Sequence, residues 1–378
     1  MKILYTATVL SHICQFHLLH MQHLQEQGWE VHVAAHNNLA VKNGLQLKYC
    51  DKFIETPFSR SPKSPNNLKA FRQLKKLLLV EEHYDVILCN TPMGGIVTRL
   101  AAKKTRRQGT KVIYMAHGFH FYKGASKKSW MIFYPIENHM AKKCDLLITI
   151  NEEDYALAQK KFSKRTRIAH IHGVGVDEKR YHPATVEEQL AMRKAEGLSS
   201  EDFVILCTGE LNENKNQKTL ISAAAQLKDR IPNLKILLAG NGPKEQELRD
   251  QIREEGLEGV VKLLGYRTDL ERITPAVDLV VSCSRREGMP LNIIEAMLCA
   301  KPVVASHNRG HDELVSPGRT GILLTPTDTA GFAAAIDALA TNAVRRNEMG
   351  EAALQWIQPY AVSNTREELF GLLRSLIQ

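Results

Sequence analysis

The sequence predicts an α/β protein made of two doubly wound parallel-sheet domains, and three observations predict it. The chain has 378 residues, more than one compact core usually reaches. Short, continuously apolar runs alternate with stretches of helical period through both halves, the pattern of strands joined by crossover helices. Residues 279–298 condense that pattern. An apolar strand (Leu-Val-Val-Ser) leads through a glycine- and proline-containing turn into an apolar helical segment (Ile293, Ile294, Ala296, Met297, Leu298).

Taken in order, strands are expected at 3–8, 30–35, 86–89, 111–116 and 146–150, with helices at 16–27, 68–82, 95–108, 130–143 and 151–161. The second half repeats the grammar, with strands at 203–208, 235–239, 260–264, 279–282, 302–305 and 321–324. Its helices are expected at 217–230, 245–255, 269–277, 291–299 and 330–340. Two such sheets in tandem imply a cleft between domains, with ligands at the carboxyl ends of the strands. The boundary is expected near residues 177–183, which gives domains 1–182 and 183–360 and a helical segment at 361–378.

Composition is that of a globular protein: 44% hydrophobic, 24% charged, and no window near the roughly 18 apolar residues of a membrane span. The basic-then-apolar start runs at once into a polar, histidine-rich stretch and so reads as a first strand rather than a signal peptide. Seven scattered cysteines without Cys-x-x-Cys spacing suit reduced thiols in a cytoplasmic protein. Charge is asymmetric. Residues 1–182 hold 28 Lys/Arg against 14 Asp/Glu (+14), and the remainder 22 against 27 (−5), which sum to the overall +9. A basic half beside an acidic half suggests one domain facing an anionic surface. Basic clusters at 99–107 and 123–128, the second followed by Trp130, Phe133 and Tyr134, are the ingredients of peripheral membrane binding. A solvated basic face, or aromatics packed in the core, is the plain alternative.

The motifs that carry chemistry follow strands. In Glu287-Gly-Met-Pro-Leu-Asn-Ile-Ile-Glu295 two carboxylates lie eight residues apart, the first in the turn and the second about two helical turns in. The turn, Gly288, Met289, Pro290 and Leu291, would present backbone N–H groups and a partial positive charge to an anion such as a phosphate. One carboxylate could then meet a sugar hydroxyl and the other a ribose diol. Gly209-Glu-Leu-Asn-Glu-Asn-Lys-Asn follows another strand and supplies Gly209, Glu210 and Lys215. Lys-Ile-Leu-Leu-Ala-Gly-Asn-Gly-Pro brings Gly240 and Asn241, glycines suited to close backbone approach. Val-Lys-Leu-Leu-Gly-Tyr-Arg brings Gly265, Tyr266 and Arg267. In the first half, Met115-Ala-His-Gly-Phe-His places His117, and behind it His120, after a strand. Ser11 and His12 occupy the first strand-to-helix turn.

In this order the motifs resemble those of the retaining family 4 glycosyltransferases, and the Gly-Glu-Leu-Asn-x-Asn-Lys-Asn variant is similar to those of bacterial capsule and exopolysaccharide enzymes. The resemblance covers nearly the whole chain and is strongest over 203–325. It implies the GT-B fold of two Rossmann-like domains, the first binding acceptor and the second a nucleotide-sugar donor, with 361–378 crossing back to the first. It implies transfer of a hexose or N-acetylhexosamine from a UDP-sugar, with retention by front-face attack, to a polyprenyl-diphosphate-linked saccharide acceptor at the inner face of the plasma membrane. Lys215 would neutralise the diphosphate, Glu295 would anchor the ribose, Glu287 and His117 would orient the sugar, and 265–267 would border the base. Ser11, His12 and His120 would serve acceptor or phosphate. One departure stands out: the family pattern has an arginine where this chain has Glu210, so either Glu210 points away or another cation, Arg285 or Arg286, compensates. No Asp-x-Asp motif occurs, so neither metal nor other cofactor is expected.

Other readings fit less well. A GT-B epimerase or phosphorylase, or a related enzyme with a soluble acceptor, would share the geometry, but the motif order is that of family 4. A basic membrane- or nucleic-acid-binding protein fits the first half only, and no nucleic-acid-binding motif is present. A nicotinamide dehydrogenase would want Gly-x-Gly-x-x-Gly after the first strand.

Overall fold

A computed structural model of the protein describes residues 1–41 and 44–377, so Gln378 of the expected 361–378 segment lies outside the described residues. The chain forms two compact units, Met1–Gly175 with Val362–Gln378, and Val176–Ala361. The first carries β1 (Lys2–Val9), β2 (Glu30–His36), β3 (Lys52–Glu55), β4 (Val86–Asn90), β5 (Lys111–Ala116), β6 (Leu146–Thr149) and β7 (Arg167–His170). They make one sheet in the order β3-β2-β1-β4-β5-β6-β7, parallel throughout. The second unit carries β8 (Phe203–Thr208), β9 (Leu234–Ala239), β10 (Val261–Gly265), β11 (Leu279–Ser282), β12 (Val303–Ser306) and β13 (Gly321–Leu324). Their order is β10-β9-β8-β11-β12-β13, again all parallel.

Both sheets are buried on two faces, which is why their central strands read as unbroken apolar runs. In the second unit, Leu220, Leu227 and Phe332 pack on one face. Ile293, Ile294, Leu314 and Ile357 pack on the other. Each strand order reverses between the unit's first and fourth strands, β1/β4 and β8/β11. At such a reversal neighbouring crossovers diverge to opposite faces and leave a crevice at the carboxyl ends.

Several expectations need correction. The unit boundary falls at Gly175/Val176 rather than after 182, because Val176 bridges Ala361 and Tyr181 joins the second unit's core. The expected turn holding Ser11 and His12 is a helix, Leu10–Phe16, which begins directly after β1 and breaks at His17 before Leu18–Glu26. β3 and β7 are additional edge strands, and Val186–Ala195 and Ala343–Ile357 are additional helices. Among the described residues no helix is long and apolar enough to cross a membrane. All seven cysteines are unpaired.

Candidate functional site

In the second unit the residues singled out from sequence gather at the β8/β11 reversal. The loop after β8 begins with Gly209 at φ +144°, and the loop after β9 with Gly240 at φ +150°. A Cβ on Gly240 would sit 1.9 Å from the Gly209 carbonyl oxygen, so two strand-end loops touch backbone to backbone and only glycine fits. A Cβ on Gly209 would meet the Lys215 side chain at 3.1 Å, so the lysine stem lies across that glycine. Lys215 Nζ then donates to Glu287 Oε1 at 2.6 Å, joining the end of β8 to the turn after β11. Both side chains are largely shielded, where an ion pair fixes position more than it adds stability.

The turn at 287–290 is held from a third strand. Gly310, in the helix Arg309–Leu314 after β12, lies where a Cβ would stand 2.8 Å from Pro290 Cδ and 2.9 Å from the Gly288 carbonyl oxygen. The helix Leu291–Leu298 starts without a side-chain cap; the Ile293 N–H donates to the Pro290 carbonyl at 3.1 Å, and those of Leu291 and Asn292 face an anion's place. Beside it His311 is fully buried; its Nδ1–H donates to the Ser306 carbonyl at 2.6 Å, and its Nε2 has no partner among the described residues. Burial lowers the His311 pKa; Glu287 pulls it up and Lys215 pushes it down, which puts all three in one electrostatic neighbourhood. Sequence reasoning passed over Gly310 and His311. The signal was available, since Ser-His-Asn-Arg-Gly-His repeats the strand–turn–helix logic applied to 279–298.

Glu295 projects from that helix toward Tyr181. Burial pushes its carboxyl up to about 7; the Tyr181 hydroxyl and Arg180 favour the charged form, and Glu271 adds a like charge. Glu210 is exposed and its carboxylate accepts from Asn212 Nδ2 at 3.0 Å, turned to its own loop rather than to Lys215. Arg285 pairs with Glu213 at 3.3 Å. Arg286 offers its carbonyl to Asn214. Tyr266 is half exposed beyond β10. Arg267 is bound by two acids, Glu196 at 2.7 Å and Asp269 at 2.8 Å, so little of its charge is left for a ligand. Asn241 fixes the loop contact through its carbonyl, which accepts from Leu211 N–H at 3.0 Å.

In the first unit the β1/β4 reversal is filled by imidazoles. His117, after β5, sets Nε2 3.1 Å from Asn90 Oδ1 and 3.3 Å from His12 Nε2. Asn90, the buried last residue of β4, is a positioning contact that sequence reasoning missed. Burial pushes His12 down to about 4, helped by Arg60. It also holds His117 and His17 well below the usual imidazole range. All three are therefore neutral at pH 7. Among the described residues, His12, His17 and His117 are the group that could hold a metal ion, their ring nitrogens lying within 4.8 Å of one another. Positions 12, 17 and 117 show no such grouping in sequence. His120 points elsewhere and stacks on Phe133 at 4.6 Å. The Ser11 N–H donates to Asn38 Oδ1 at 3.0 Å, so it is already used and is no free phosphate donor.

The membrane ingredients are also rearranged. Trp130, Phe133 and Tyr134 pack against the first unit's core rather than facing outward. Trp130 Nε1 donates to the Tyr122 carbonyl at 3.2 Å. The exposed apolar residues of their helix, Lys127–Met140, are Met131, Ile132 and Ile136. Arg99, counted in a basic cluster, is buried; it pairs with Glu137 at 3.2 Å and lies over Tyr114.

Comparison with known proteins bears on both units. A model of glycosyl transferases group 1 matches residues 188–356, and a model of glycosyltransferase family 4 matches residues 18–180. The chain is 40% identical to EpsD of Bacillus subtilis (strain 168), a protein assigned as a glycosyltransferase, over 97% of this chain and 95% of that one. It is 28% identical to the UDP-Gal:alpha-D-GlcNAc-diphosphoundecaprenol alpha-1,3-galactosyltransferase of Escherichia coli, over 78% of this chain and 77% of that one. Among solved structures, Anabaena HepE in complex with UDP superposes with a TM-score of 0.79 at 25% identity, covering 99% of this chain and all of that one. The sheet orders, the Lys215–Glu287 pair and these likenesses agree: the chain belongs to the family 4 glycosyltransferases, enzymes of GT-B fold.

Proposed function

We propose that the protein transfers a hexose or N-acetylhexosamine from a UDP-sugar to a polyprenyl-diphosphate-linked saccharide, with retention and without a metal, in the synthesis of an exported polysaccharide. The observation that carries this reading is the shielded Lys215–Glu287 pair beside the uncapped helix Leu291–Leu298. A cation and open N–H groups at one strand-end crevice suit a departing diphosphate, whose developing charge they would stabilise without rearrangement. Lys215 meets the diphosphate, Glu287 orients the sugar, Glu295 accepts from the ribose hydroxyls, and Tyr266 borders the base. His117, neutral and steadied by Asn90, is assigned to the transferred sugar. The likeness to a UDP-bound structure supports the nucleotide. The likeness to a transferase acting on a diphosphoundecaprenol-linked sugar supports the acceptor class.

At the surface, exposed Met131 and Ile132 with Lys123, Lys127 and Lys128 would seat the first unit on anionic lipid. The test is UDP release from a panel of UDP-sugars, with and without undecaprenyl-diphosphate-linked monosaccharides in detergent. Release stimulated only by a lipid-linked acceptor is the expected result. Stimulation by free sugars alone would reassign the enzyme to a soluble acceptor, and no turnover of any UDP-sugar would overturn the donor reading.

A further inference from the structure

The first unit holds a pocket of about 710 Å³, lined in part by Ser11, His12 and His120, whose apolar bulk has no role in the reading above. A volume of that size suits a small-molecule ligand. Its lining joins the carboxyl ends of β1 and β5, through His12 and Gly118, to the helix Lys127–Met140, through Ile132, Phe133 and Ile136. Between them lie Met93, Ile96, Phe119 and Phe121, so the wall is mostly apolar and aromatic. Charge is confined to one end. Glu137, the carboxylate of the lining, is tied to buried Arg99 by three contacts of 3.2–3.3 Å and brings no free anion. Arg60 is exposed and makes no hydrogen bond or ion pair among the described residues. It also borders a smaller cavity with Thr8 and Val9, the last residues of β1, which places the cation at the strand-end side. At the opposite side, Ile132 and Ile136 are more than 40% exposed and adjoin Met131 at 77%. The pocket thus runs from a cation near the imidazoles to an apolar patch on the surface.

We infer that this pocket takes the first isoprenyl units of a polyprenyl diphosphate, with Arg60 receiving the diphosphate and the chain leaving past Ile132 and Ile136 toward lipid. The inference rests on the acceptor reading proposed above and deepens it: the enzyme grips the carrier as well as the sugar. Shape and charge both ask for an amphiphile, because a free sugar would leave the aromatic wall unmatched and a plain hydrocarbon would leave Arg60 unpaired.

The test is calorimetry with farnesyl diphosphate on the full-length protein in saturating UDP, which occupies the Lys215 site and removes competition there. Farnesyl diphosphate should bind at least tenfold more tightly than either inorganic diphosphate or farnesol. Ile96→Trp, which fills the pocket, should weaken farnesyl diphosphate at least tenfold, and Arg60→Ala about fivefold, both with UDP affinity and melting temperature unchanged. Farnesyl diphosphate binding no tighter than inorganic diphosphate, or unaltered by Ile96→Trp, overturns the inference. Should Ile96→Trp fail to fold, a benzophenone-bearing farnesyl analogue on the native protein decides. Labelling of the wall, at Met93, Ile96, Phe119, Phe121 or within 130–137, supports the pocket, and labelling elsewhere refutes it. Normal UDP binding with no farnesyl diphosphate binding would sink this inference alone, whereas failure to bind or turn over any UDP-sugar would sink the donor reading and leave the pocket standing.

Discussion

The two units share a sheet order through six strands and use the resulting crevice in opposite ways. In the second unit the strand ends open through glycines with positive φ at 209, 240 and 265 and present a lysine, a glutamate and an uncapped helix start. In the first, a helix begins directly after β1, and the crevice is packed with three neutral imidazoles and an asparagine beside a mostly apolar pocket. One edge presents an ion pair and open N–H groups, the other neutral imidazoles beside a mostly apolar pocket. A doubly wound sheet supplies the position of a site, while the residues at its strand ends decide what that site can stabilise.

The largest expected effect tests the charged edge. Lys215→Ala should reduce transfer by roughly 10²–10³, the usual loss when one positioned electrostatic donor is removed, with the fold intact by circular dichroism. A wild-type rate would remove Lys215 from the diphosphate. For the neutral edge, His117→Ala should lower the rate at least tenfold while UDP affinity, measured by calorimetry, stays within about twofold. An equal loss of both would erase the division of labour between the units.

A pH profile sharpens the same contrast. The Glu295 carboxyl is raised to about 7 in the free protein, yet it must be ionised to accept from two hydroxyls. UDP affinity should therefore rise from pH 6 to pH 8 as binding expels a proton, and Glu295→Gln should be weaker and flat. The stability sign is opposite. A carboxyl raised in the folded state favours folding below its unfolded pKa and loses that contribution as pH rises through about 7. Glu295→Gln should accordingly melt higher than wild type at pH 8, with the gap closing toward pH 5. Since the transfer is assigned to protein groups alone, EDTA should leave the rate unchanged; a loss restored by zinc would turn attention to His12, His17 and His117. The smallest effect concerns the surface. Reversing Lys123, Lys127 and Lys128 to glutamate should cut sedimentation with anionic liposomes at low salt and leave UDP binding alone, at about 1 kcal/mol per lysine. Sedimentation indifferent to both salt and reversal would make this a solvated face.

Much of the fold was legible because its inner strands are buried on both sides and so carry uninterrupted apolar runs. β3 and β7 were not, because Lys-Phe-Ile-Glu and Arg-Ile-Ala-His sit at sheet edges, half solvated, with no run to read. Leu10–Phe16 was hidden for another reason: His12 within it and His17 at its end look like loop residues until His117 packs on both and Tyr5 on the second. Lys215 and Glu287 could be picked out by their place after strands, but their ion pair spans 72 residues of sequence. Trp130 and Met131 show the limit most plainly. They are neighbours on one helix, and contacts with Phe121, Tyr134 and the Tyr122 carbonyl hold the tryptophan inward while the methionine stays out.

The helix Val362–Ile377 has a consequence for how the chain is made. It belongs to the first unit, where Leu369 and Leu373 are buried, Phe370 meets His23, and Glu368 binds His172 at 2.6 Å. The second unit is one continuous stretch of chain, while the first needs both ends of this sequence. During synthesis, then, Val176–Ala361 has all its residues before the earlier-made unit has its last helix. The first unit must wait, with the face around His20 and His23 uncovered, until Val362–Ile377 has been made. Order of synthesis and order of completion are reversed in this protein, and a nick near its C-terminus would strike the domain made first.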